Sequence, residues 1–234
     1  MRSSITIVAS PRPRVGKTLL ARVLTDYLAQ HARDPLGFEL GGGEGKLSDF
    51  LPQYAAPASL DDVKAQMSFF DALIAIDGRP KVLDLGADLF QQFFELADHF
   101  ALPQEIAARG IGVTVMYVVT PDRTSHDAAR ALLRRLPEMT FAPVHNEIFG
   151  PAPHRQIDAI RAREPLLKLP ALSVPARKYV EAPPFSFADP QALAQLPASV
   201  EADVDAWLRR MHRDLREFEL RASAAHPQPV RIGS

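Results

Sequence analysis

The sequence predicts an α/β domain: a doubly wound, mainly parallel sheet flanked by helices, with a C-terminal helical extension. Apolar runs of strand length alternate with amphipathic runs of helix length along most of the chain. One of the strand-length runs, Val113 to Val119, is apolar along nearly its whole length, as expected for a central strand with both faces covered. The chain has 234 residues, of which 47% are apolar, and this suits one large domain rather than two. We therefore expect a single domain over residues 1–222, including a helix over 199–222, and a disordered tail over 223–234.

The composition excludes several classes of site. The formal net charge is −1, so no general attraction to nucleic acid or membranes is expected. The chain has no cysteine, which excludes disulfides, thiolate metal sites, iron–sulfur clusters and cysteine nucleophiles. Its seven histidines show no paired ligand spacing, so no metal site built from protein ligands alone is expected. There is no signal-peptide pattern and no apolar run near the ~18 residues of a membrane span. The expectation is a cytoplasmic protein without stable membrane insertion.

The first strand, loop and helix carry the strongest functional signal. The predicted strand, Ile5 to Val8, is followed by a loop over Ser10 to Gly16 and by an amphipathic helix that begins at Lys17. A helix N-terminus attracts phosphate, because it presents unpaired N–H groups and the positive end of the helix dipole. Gly16 lets the backbone approach a phosphate closely, Lys17 reaches the β- and γ-phosphates, and the Thr18 hydroxyl binds Mg²⁺. This stretch predicts a nucleotide site that takes ATP and Mg²⁺.

The loop departs from the usual phosphate-binding pattern. Pro11, Pro13 and Arg14 occupy positions that are often glycine in such loops. Each proline removes one N–H donor and fixes φ, so the loop offers fewer backbone donors than usual. The alternative to a nucleotide site is an eroded loop that keeps only the fold.

Two later strand ends carry further candidate residues. The second strand, Leu36 to Leu40, precedes Gly41 to Gly45, where four of five residues are glycine. Such a segment predicts a mobile loop that a ligand approaches closely, with a plain flexible turn as the alternative. Near the end of the third strand, Lys81 to Leu85, lies Asp84. An acidic residue at this place completes a phosphate-loop site by holding Mg²⁺, directly or through water, and a cap for the next helix is the alternative.

The rest of the chain continues the alternation of strands and helices. Ser59 and Asp62 have the spacing of a capping box and open a helix that runs to about Ile74. Helices are also predicted over 47–51, 89–100, 103–109, 125–136 and 155–163, strands over 139–149 and 166–174, and a loop or lid over 176–190. The C-terminal helix has an apolar face formed by Trp207, Met211, Leu215 and Phe218. That face predicts packing on the core or on a second subunit, and binding to a membrane surface is the alternative.

The candidate residues converge on one edge of the predicted sheet. They are Gly16 to Thr18, the loop 41–45, Asp84, Asn146 and Pro175, which lie at predicted strand ends or just beyond them. In open α/β sheets, ligands bind outside the carboxyl ends of the strands. This convergence is the main support within the sequence for a nucleotide site.

The order of these elements over residues 4–190 resembles the ParA/MinD-type ATPases, which belong to the SIMIBI class and have a deviant phosphate loop. Their loop reads x-K-G-G-x-G-K-[ST], and Pro11 to Thr18 lies in the matching register. The early lysine of that family reaches across a dimer to the partner's nucleotide, and Arg12 stands at its position. The resemblance implies a nucleotide-dependent homodimer in which Arg12 reaches the partner's nucleotide. Arg14, at a position where glycine is usual, is a second candidate for contact with phosphate or with the partner. Solvent exposure of both arginines is the alternative.

The resemblance also implies a set of site residues. The catalytic residues are Lys17, Arg12, Glu39 and Asp84; the nucleotide contacts are Arg14, Val15, Gly16, Lys17, Thr18, Leu19, Asn146 and Pro175; the metal ligands are Thr18 and Asp84. Asn146 matches the asparagine that binds the adenine amino group, and Pro175 begins the segment that packs on the base. The family's second aspartate, which orients the attacking water, falls on Gly41, with Glu44 as a candidate substitute. Hydrolysis is therefore expected to be slow or impaired.

The function that follows is an ATP-dependent dimerising switch that positions or partitions a cargo. A protein partner or cargo adaptor is expected, and DNA is a further candidate, although the basic side chains form no dense stripe. Two alternatives stay open. One is an ATP-dependent ligase similar to dethiobiotin synthetase, which needs a lysine just after the second strand, where Gly37 to Leu40 has none. The other is an interaction module that has lost nucleotide binding.

Overall fold

Seven parallel strands form one sheet in the computed structural model, which describes residues 3–137, 139–150 and 167–225. The strands are β1 (Ser4–Ala9), β2 (Leu36–Leu40), β3 (Ala55–Ala58), β4 (Pro80–Leu85), β5 (Gly112–Val119), β6 (Thr140–Asn146) and β7 (Leu167–Leu169). Their order in the sheet is β3-β2-β4-β1-β5-β6-β7, and every neighbouring pair is parallel. The predicted fold class is confirmed, and the described sheet is wholly rather than mainly parallel.

Helices cover both faces of the sheet. They are α1 (Lys17–Gln30), α2 (Leu47–Phe50), α3 (Val63–Leu73), α4 (Phe90–His99), α5 (Leu102–Ala108), α6 (Arg123–Arg135), α7 (Val174–Val180), α8 (Pro190–Ala194) and α9 (Ala198–Ala225). Side chains of α1, α2, α7, α8 and α9 pack on one face, and those of α3 to α6 pack on the other. Neighbouring residues of β1 enter opposite cores, since Ile7 belongs to the second cluster and Val8 to the first. This burial on both faces explains why the central strands read as continuous apolar runs.

One strand was not predicted. β3 has the sequence AAPA, which lacks the β-branched and aromatic residues that favour strands. It forms because it lies at the edge of the sheet, where it pairs with β2 alone. A proline such as Pro57 is tolerated on an edge strand, because the missing N–H is not needed by a second neighbour.

The predicted strands 139–149 and 166–174 are both too long. β6 ends at Asn146, and a 3-10 turn over Glu147–Phe149 follows, because the Asn146 side chain accepts a hydrogen bond from the Ile148 N–H at 3.1 Å. β7 ends at Leu169, and Pro175 lies in the first turn of α7 rather than at a strand end. The predicted loop 176–190 therefore contains most of α7. The predicted helix 155–163 lies outside the described residues.

The capping residue of α3 also differs from the predicted one. Asp62 is the N-cap, and its carboxylate accepts a hydrogen bond from the Ala65 N–H at 2.8 Å. The Ser59 hydroxyl instead accepts from the Asp61 N–H at 3.0 Å, within the turn that precedes the helix. The sequence signal located the helix, although the predicted capping box placed its start three residues too early.

The long helix α9 packs on the core, as its apolar face predicts. The Trp207 ring lies 5.4 Å from the Phe187 ring, and its indole N–H donates to the Pro170 carbonyl at 2.8 Å. The helix continues to Ala225, so residues 223–225 of the predicted tail are helical, and 226–234 lie outside the described residues. Within the described part of the chain, no helix combines the length and apolar character that crossing a bilayer requires.

Buried polar side chains fasten α1 to the segment between α7 and α8. The Arg22 guanidinium donates to the carbonyls of Val180 and Phe185 at 2.9 and 3.0 Å. One turn further on, the Asp26 carboxylate accepts from the Phe187 N–H at 2.6 Å. Burial raises the pKa of Asp26 to about 6 and lowers the pKa of Arg22 to about 9. These contacts fix the orientation of the helix whose first turn forms the candidate site.

Candidate functional site

The loop between β1 and α1 adopts a shape that only certain residues permit. Gly16 has a φ of 91°, and a Cβ there would lie 2.7 Å from Asn146 Nδ2 and 3.0 Å from Leu169 Cδ2. A glycine is therefore required at this position. Arg14 also has a positive φ, 56°, and its side chain is exposed, whereas Val15 turns inward and joins the core. The loop thus keeps a left-handed residue at position 14 although the residue is not glycine.

The start of α1 presents backbone donors to an anion. Gly16 is the N-cap and provides no side-chain hydrogen bond, and the first intrahelical bond joins Leu20 N to Gly16 O at 3.0 Å. The N–H groups of Lys17, Thr18 and Leu19 consequently have no intrahelical acceptor. The first turn of this helix contains no acidic residue, so the positive end of its dipole is not neutralised there. This geometry fits a phosphate group.

Lys17 spans the loop. Its amino group donates to the Arg12 carbonyl at 2.7 Å, and the residue is only 7% exposed. Burial lowers the pKa of Lys17, whereas the charges of Asp84 and Asp88 act in the opposite direction. The Lys17 ammonium group is therefore held at the inner side of the loop, in the field of two carboxylates. Its hydrogen-bond acceptor is a neutral carbonyl, which a phosphate oxygen can replace.

Thr18 and Asp84 meet at the carboxyl edge of the sheet. The Thr18 hydroxyl donates to Asp84 Oδ2 at 2.7 Å. Burial raises the pKa of Asp84 to about 6, against the hydrogen bond from Thr18 and the charge of Lys17, while the charge of Glu39 adds to the rise. Mg²⁺ prefers oxygen ligands of this kind, and it binds through one or two protein groups together with phosphates. The pair therefore fits the metal of a nucleotide complex.

Asn146 and Pro175 lie on the side of β6 and β7. The Asn146 amide donates to the Val15 carbonyl at 3.0 Å, so this side chain stabilises the loop between β1 and α1. Its remaining N–H has no partner among the hydrogen bonds of the described residues. Pro175 is exposed near the N-terminus of α7, where Ser173 caps the helix by accepting from Ala176 N at 3.3 Å. Asn146 thus lies against the loop, and Pro175 remains accessible on the surface.

Arg12 binds a carboxylate of its own chain. Its Nε and Nη2 donate to Asp122 Oδ1 at 3.1 and 2.7 Å. Asp122 also caps α6, accepting from the Ser125 N–H at 3.0 Å, and its second oxygen accepts from the Thr120 hydroxyl at 2.5 Å. These bonds, that from Arg12 above all, hold the pKa of Asp122 well below the usual range of aspartate. Both members of the ion pair are partly exposed, so the contact can be exchanged for another.

Glu39 is buried and has protein partners. Its Oε2 accepts from the Ser48 N–H at 3.0 Å and from the Ser48 hydroxyl at 2.7 Å, and its Oε1 lies 3.5 Å from Lys46 Nζ. The residue stands opposite Asp84 in the register of β2 and β4. Its hydrogen bonds hold the start of α2. Its charge acts on Asp84, the candidate metal ligand on the neighbouring strand β4.

Solved structures share this architecture. A chain of the MinC:MinD cell division protein complex from Aquifex aeolicus superposes with a TM-score of 0.56 at 15% identity, over 92% of this chain and 96% of that chain. The septum site-determining protein MinD from Pyrococcus horikoshii, complexed with Mg-ADP, superposes with a TM-score of 0.52 at 13% identity, over 93% of this chain and 97% of that chain. This chain has a MinD-like fold. No protein-family model and no curated protein matches the sequence. The roles of individual residues are therefore inferred from the geometry of the site.

Two carboxylates near the candidate site were not among the residues predicted from the sequence. Asp122 follows the end of β5, so the rule that ligands bind at strand ends could have indicated it. Asp88 lies beyond β4, and its carboxylate accepts from the Gly42 N–H at 3.1 Å. No spacing pattern marks Asp88, because the contact depends on how two separate loops meet.

Proposed function

We propose that this protein is an ATP-binding switch of the ParA/MinD type, which dimerises when it binds ATP and positions or partitions a cargo. The proposal depends most on one observation. The Thr18 hydroxyl and the Asp84 carboxylate meet at 2.7 Å, in the electrostatic field of Lys17 and at a helix N-terminus that offers free N–H groups. A metal-bound triphosphate needs these groups together.

The nucleotide phosphates bind to the N–H groups at the start of α1 and to the Lys17 amino group, which leaves the Arg12 carbonyl. Mg²⁺, held by Thr18 and Asp84, neutralises phosphate charge when it is bound. Glu39 acts from one strand away, through its charge on Asp84 and its hold on α2. Val15, Gly16 and Leu19 contribute backbone contacts, Arg14 contributes charge, and Asn146 and Pro175 form the side of the site that receives the base.

Dimerisation requires Arg12 to exchange one anion for another. In the structure its guanidinium is bound to Asp122. Both of these guanidinium donors reach the same carboxylate oxygen, whereas a phosphate of a second protomer's nucleotide carries more negative charge and can accept them on two oxygens. The exchange would shift the population from monomer to dimer, because ATP gains the contact with Arg12 of a second protomer only in the dimer. A protein partner or cargo adaptor would then recognise the dimer, and DNA is a candidate cargo.

Light scattering with and without ATP and Mg²⁺ tests the proposal. The native chain is expected to double its mass when ATP is added. Lys17→Ala is expected to stay monomeric, because the phosphates lose their buried cation, and Asp84→Ala is expected to do the same through the metal. The matched control is Lys64→Ala, which removes an exposed lysine from α3 and should dimerise normally.

The outcomes separate the candidate functions. ATP-dependent dimerisation that persists in Lys17→Ala would refute the switch. If calorimetry detects no ATP binding to the native chain, the chain is an interaction module on a MinD-like fold, in line with the donors lost at Pro11 and Pro13. ATP turnover that requires an added carboxylic acid or amine would instead identify a ligase.

A further inference from the structure

We propose that Asp88 supplies the carboxylate that orients the water attacking the γ-phosphate, in place of the side chain that Gly41 lacks. This inference rests on the proposed ATP-binding function and names a catalytic residue for it. It also revises the expectation that Glu44 is the substitute. Three features of the loops after β2 and β4 carry the argument: the position of the carboxylate, the contacts that hold it there, and its access to water.

The Asp88 carboxylate occupies the space where a side chain at position 41 would begin. A Cβ built on Gly41 would lie 2.7 Å from Asp88 Oδ2, 2.8 Å from Oδ1 and 3.0 Å from Cγ. These distances are too short for both groups to be present. The Asp88 carboxylate therefore lies where an aspartate at position 41 would begin, although it belongs to the neighbouring loop.

Contacts between the two loops hold Asp88 in this position. Gly42 N donates to Asp88 Oδ1 at 3.1 Å and to Oδ2 at 3.4 Å. The Gly86 N–H donates to the Leu40 carbonyl at 2.7 Å, which joins the loops at their base. A Cβ on Gly86 would collide with Asp88 Oδ1 and would lie 2.6 Å from Gly42 N, so the approach requires glycine there. Gly86 and Gly41 together leave the room that this carboxylate fills.

The carboxylate also faces the right surroundings. Asp88 is exposed, so water reaches it, and its charge acts on Lys17, the proposed phosphate ligand. Glu44 lies farther along the glycine-rich loop, where its side chain is exposed. Cβ atoms added at the adjoining Gly42 and Gly43 would meet nothing within 4 Å. The loop is therefore open on the side where side chains at positions 42 and 43 would project.

In the proposed step, Asp88 accepts a hydrogen bond from a water molecule. The water oxygen forms a bond to the γ-phosphorus while the bond from that phosphorus to the bridging oxygen breaks. The electron pair of the broken bond leaves with ADP, and the proton of the water passes through Asp88 to the released phosphate. General-base and water-positioning groups of this kind typically contribute ~10²–10⁴-fold to the rate.

Asp88→Asn separates a catalytic role from a structural one. The asparagine oxygen can still accept the Gly42 N–H, so the loops stay joined, but the charge and proton acceptor are lost. We expect ATP hydrolysis to fall by about 100-fold or more, with unchanged ATP affinity and a longer-lived ATP-bound dimer in light scattering. Hydrogen exchange at the Gly42 amide should be unchanged in Asp88→Asn and faster in Asp88→Ala. Asp71→Asn, an exposed change on α3, is the matched control.

A transplanted carboxylate provides a second test. Gly41→Asp in the native background should be destabilising, because the new side chain meets Asp88. In Asp88→Ala the space is empty, and aspartate tolerates the left-handed conformation at position 41, where φ is 68°. The double variant Gly41→Asp/Asp88→Ala should therefore recover hydrolysis above the Asp88→Ala level.

The possible failures are distinguishable. Native-like hydrolysis by Asp88→Asn, or a native chain that binds ATP and dimerises without hydrolysing it, would overturn the role of Asp88 and leave the proposed switch standing. Absence of ATP binding by the native chain would overturn both. Recovery in the double variant, together with loss in Asp88→Asn, would support the inference.

Discussion

Arg14 offers a direct measure of the strain stored in the loop before α1. Its φ of 56° lies in the left-handed region, which L residues other than glycine adopt at a cost. Replacing it by glycine removes the clash between Cβ and the backbone. The substitution Arg14→Gly should therefore stabilise the folded chain, although glycine substitutions usually destabilise.

The expected size follows from two opposing contributions. A left-handed residue with a side chain costs about 1–2 kcal/mol, and the additional freedom of glycine in the unfolded chain costs about 0.5–1 kcal/mol. The difference is a stabilisation of about 0.5–1 kcal/mol, which corresponds to roughly 2 °C in the melting temperature of a chain of this size. The Arg14 side chain is exposed, so its removal should contribute little.

Urea denaturation followed by circular dichroism is the assay. The matched control is Arg14→Ala, which removes the same charge and most of the side chain but retains the Cβ and hence the strain. Arg14→Gly should unfold at higher urea than Arg14→Ala, with the same dependence on urea concentration. The reasoning is refuted if the glycine variant is the less stable of the two.

Three further predictions concern other contacts. Gly16→Ala should abolish ATP binding in calorimetry and lower stability by about 2–3 kcal/mol, since it adds left-handed strain and displaces a hydrogen-bonded amide. Phe187→Ala should lower the free energy of unfolding by about 3–5 kcal/mol in urea denaturation, because this buried ring packs on Trp207. The pKa of Asp122 lies below its unfolded value, so the ion pair with Arg12 should stabilise the fold above pH ~4 and lose its effect as pH falls through the folded pKa. NMR titration should show the Asp122 pKa rising toward the ordinary value in Arg12→Ala.

The sequence predicted the parts of the fold that depend on local pattern. The strand before Ser10 and the helix after Gly16 have strong apolar periodicity, and the structure places both as expected. β3 was not predicted because its sequence, AAPA, has no strand preference of its own. The strand forms through its pairing with β2. α7 was not predicted because the segment 176–190 is rich in proline and suggested a loop. The one proline within α7, Pro175, lies in the first turn, where its missing N–H is not needed.

The candidate site was predictable to the same degree and for the same reason. Lys17, Thr18 and Asp84 could be chosen because they stand at fixed offsets from strand ends, and the structure brings them together. The strand-end rule could have indicated Asp122 as a site residue, but not its pairing with Arg12, because the two residues are 110 positions apart and meet only in the folded sheet. Side-chain pairing across loops is set by tertiary structure, which a motif does not encode.

At positions 14 and 41 the sequence departs from the motifs of the ParA/MinD-type family that it resembles. The structure gives both departures the same kind of explanation. At position 14 the backbone keeps the left-handed conformation although the usual glycine is replaced by arginine. At position 41 the side chain is missing, yet the Asp88 carboxylate lies where that side chain would begin. Both features belong to the folded backbone and to a neighbouring loop, and not to the residue types at positions 14 and 41. A search by residue identity loses such a site, whereas a comparison of backbone conformation and of the space filled by functional groups can recover it.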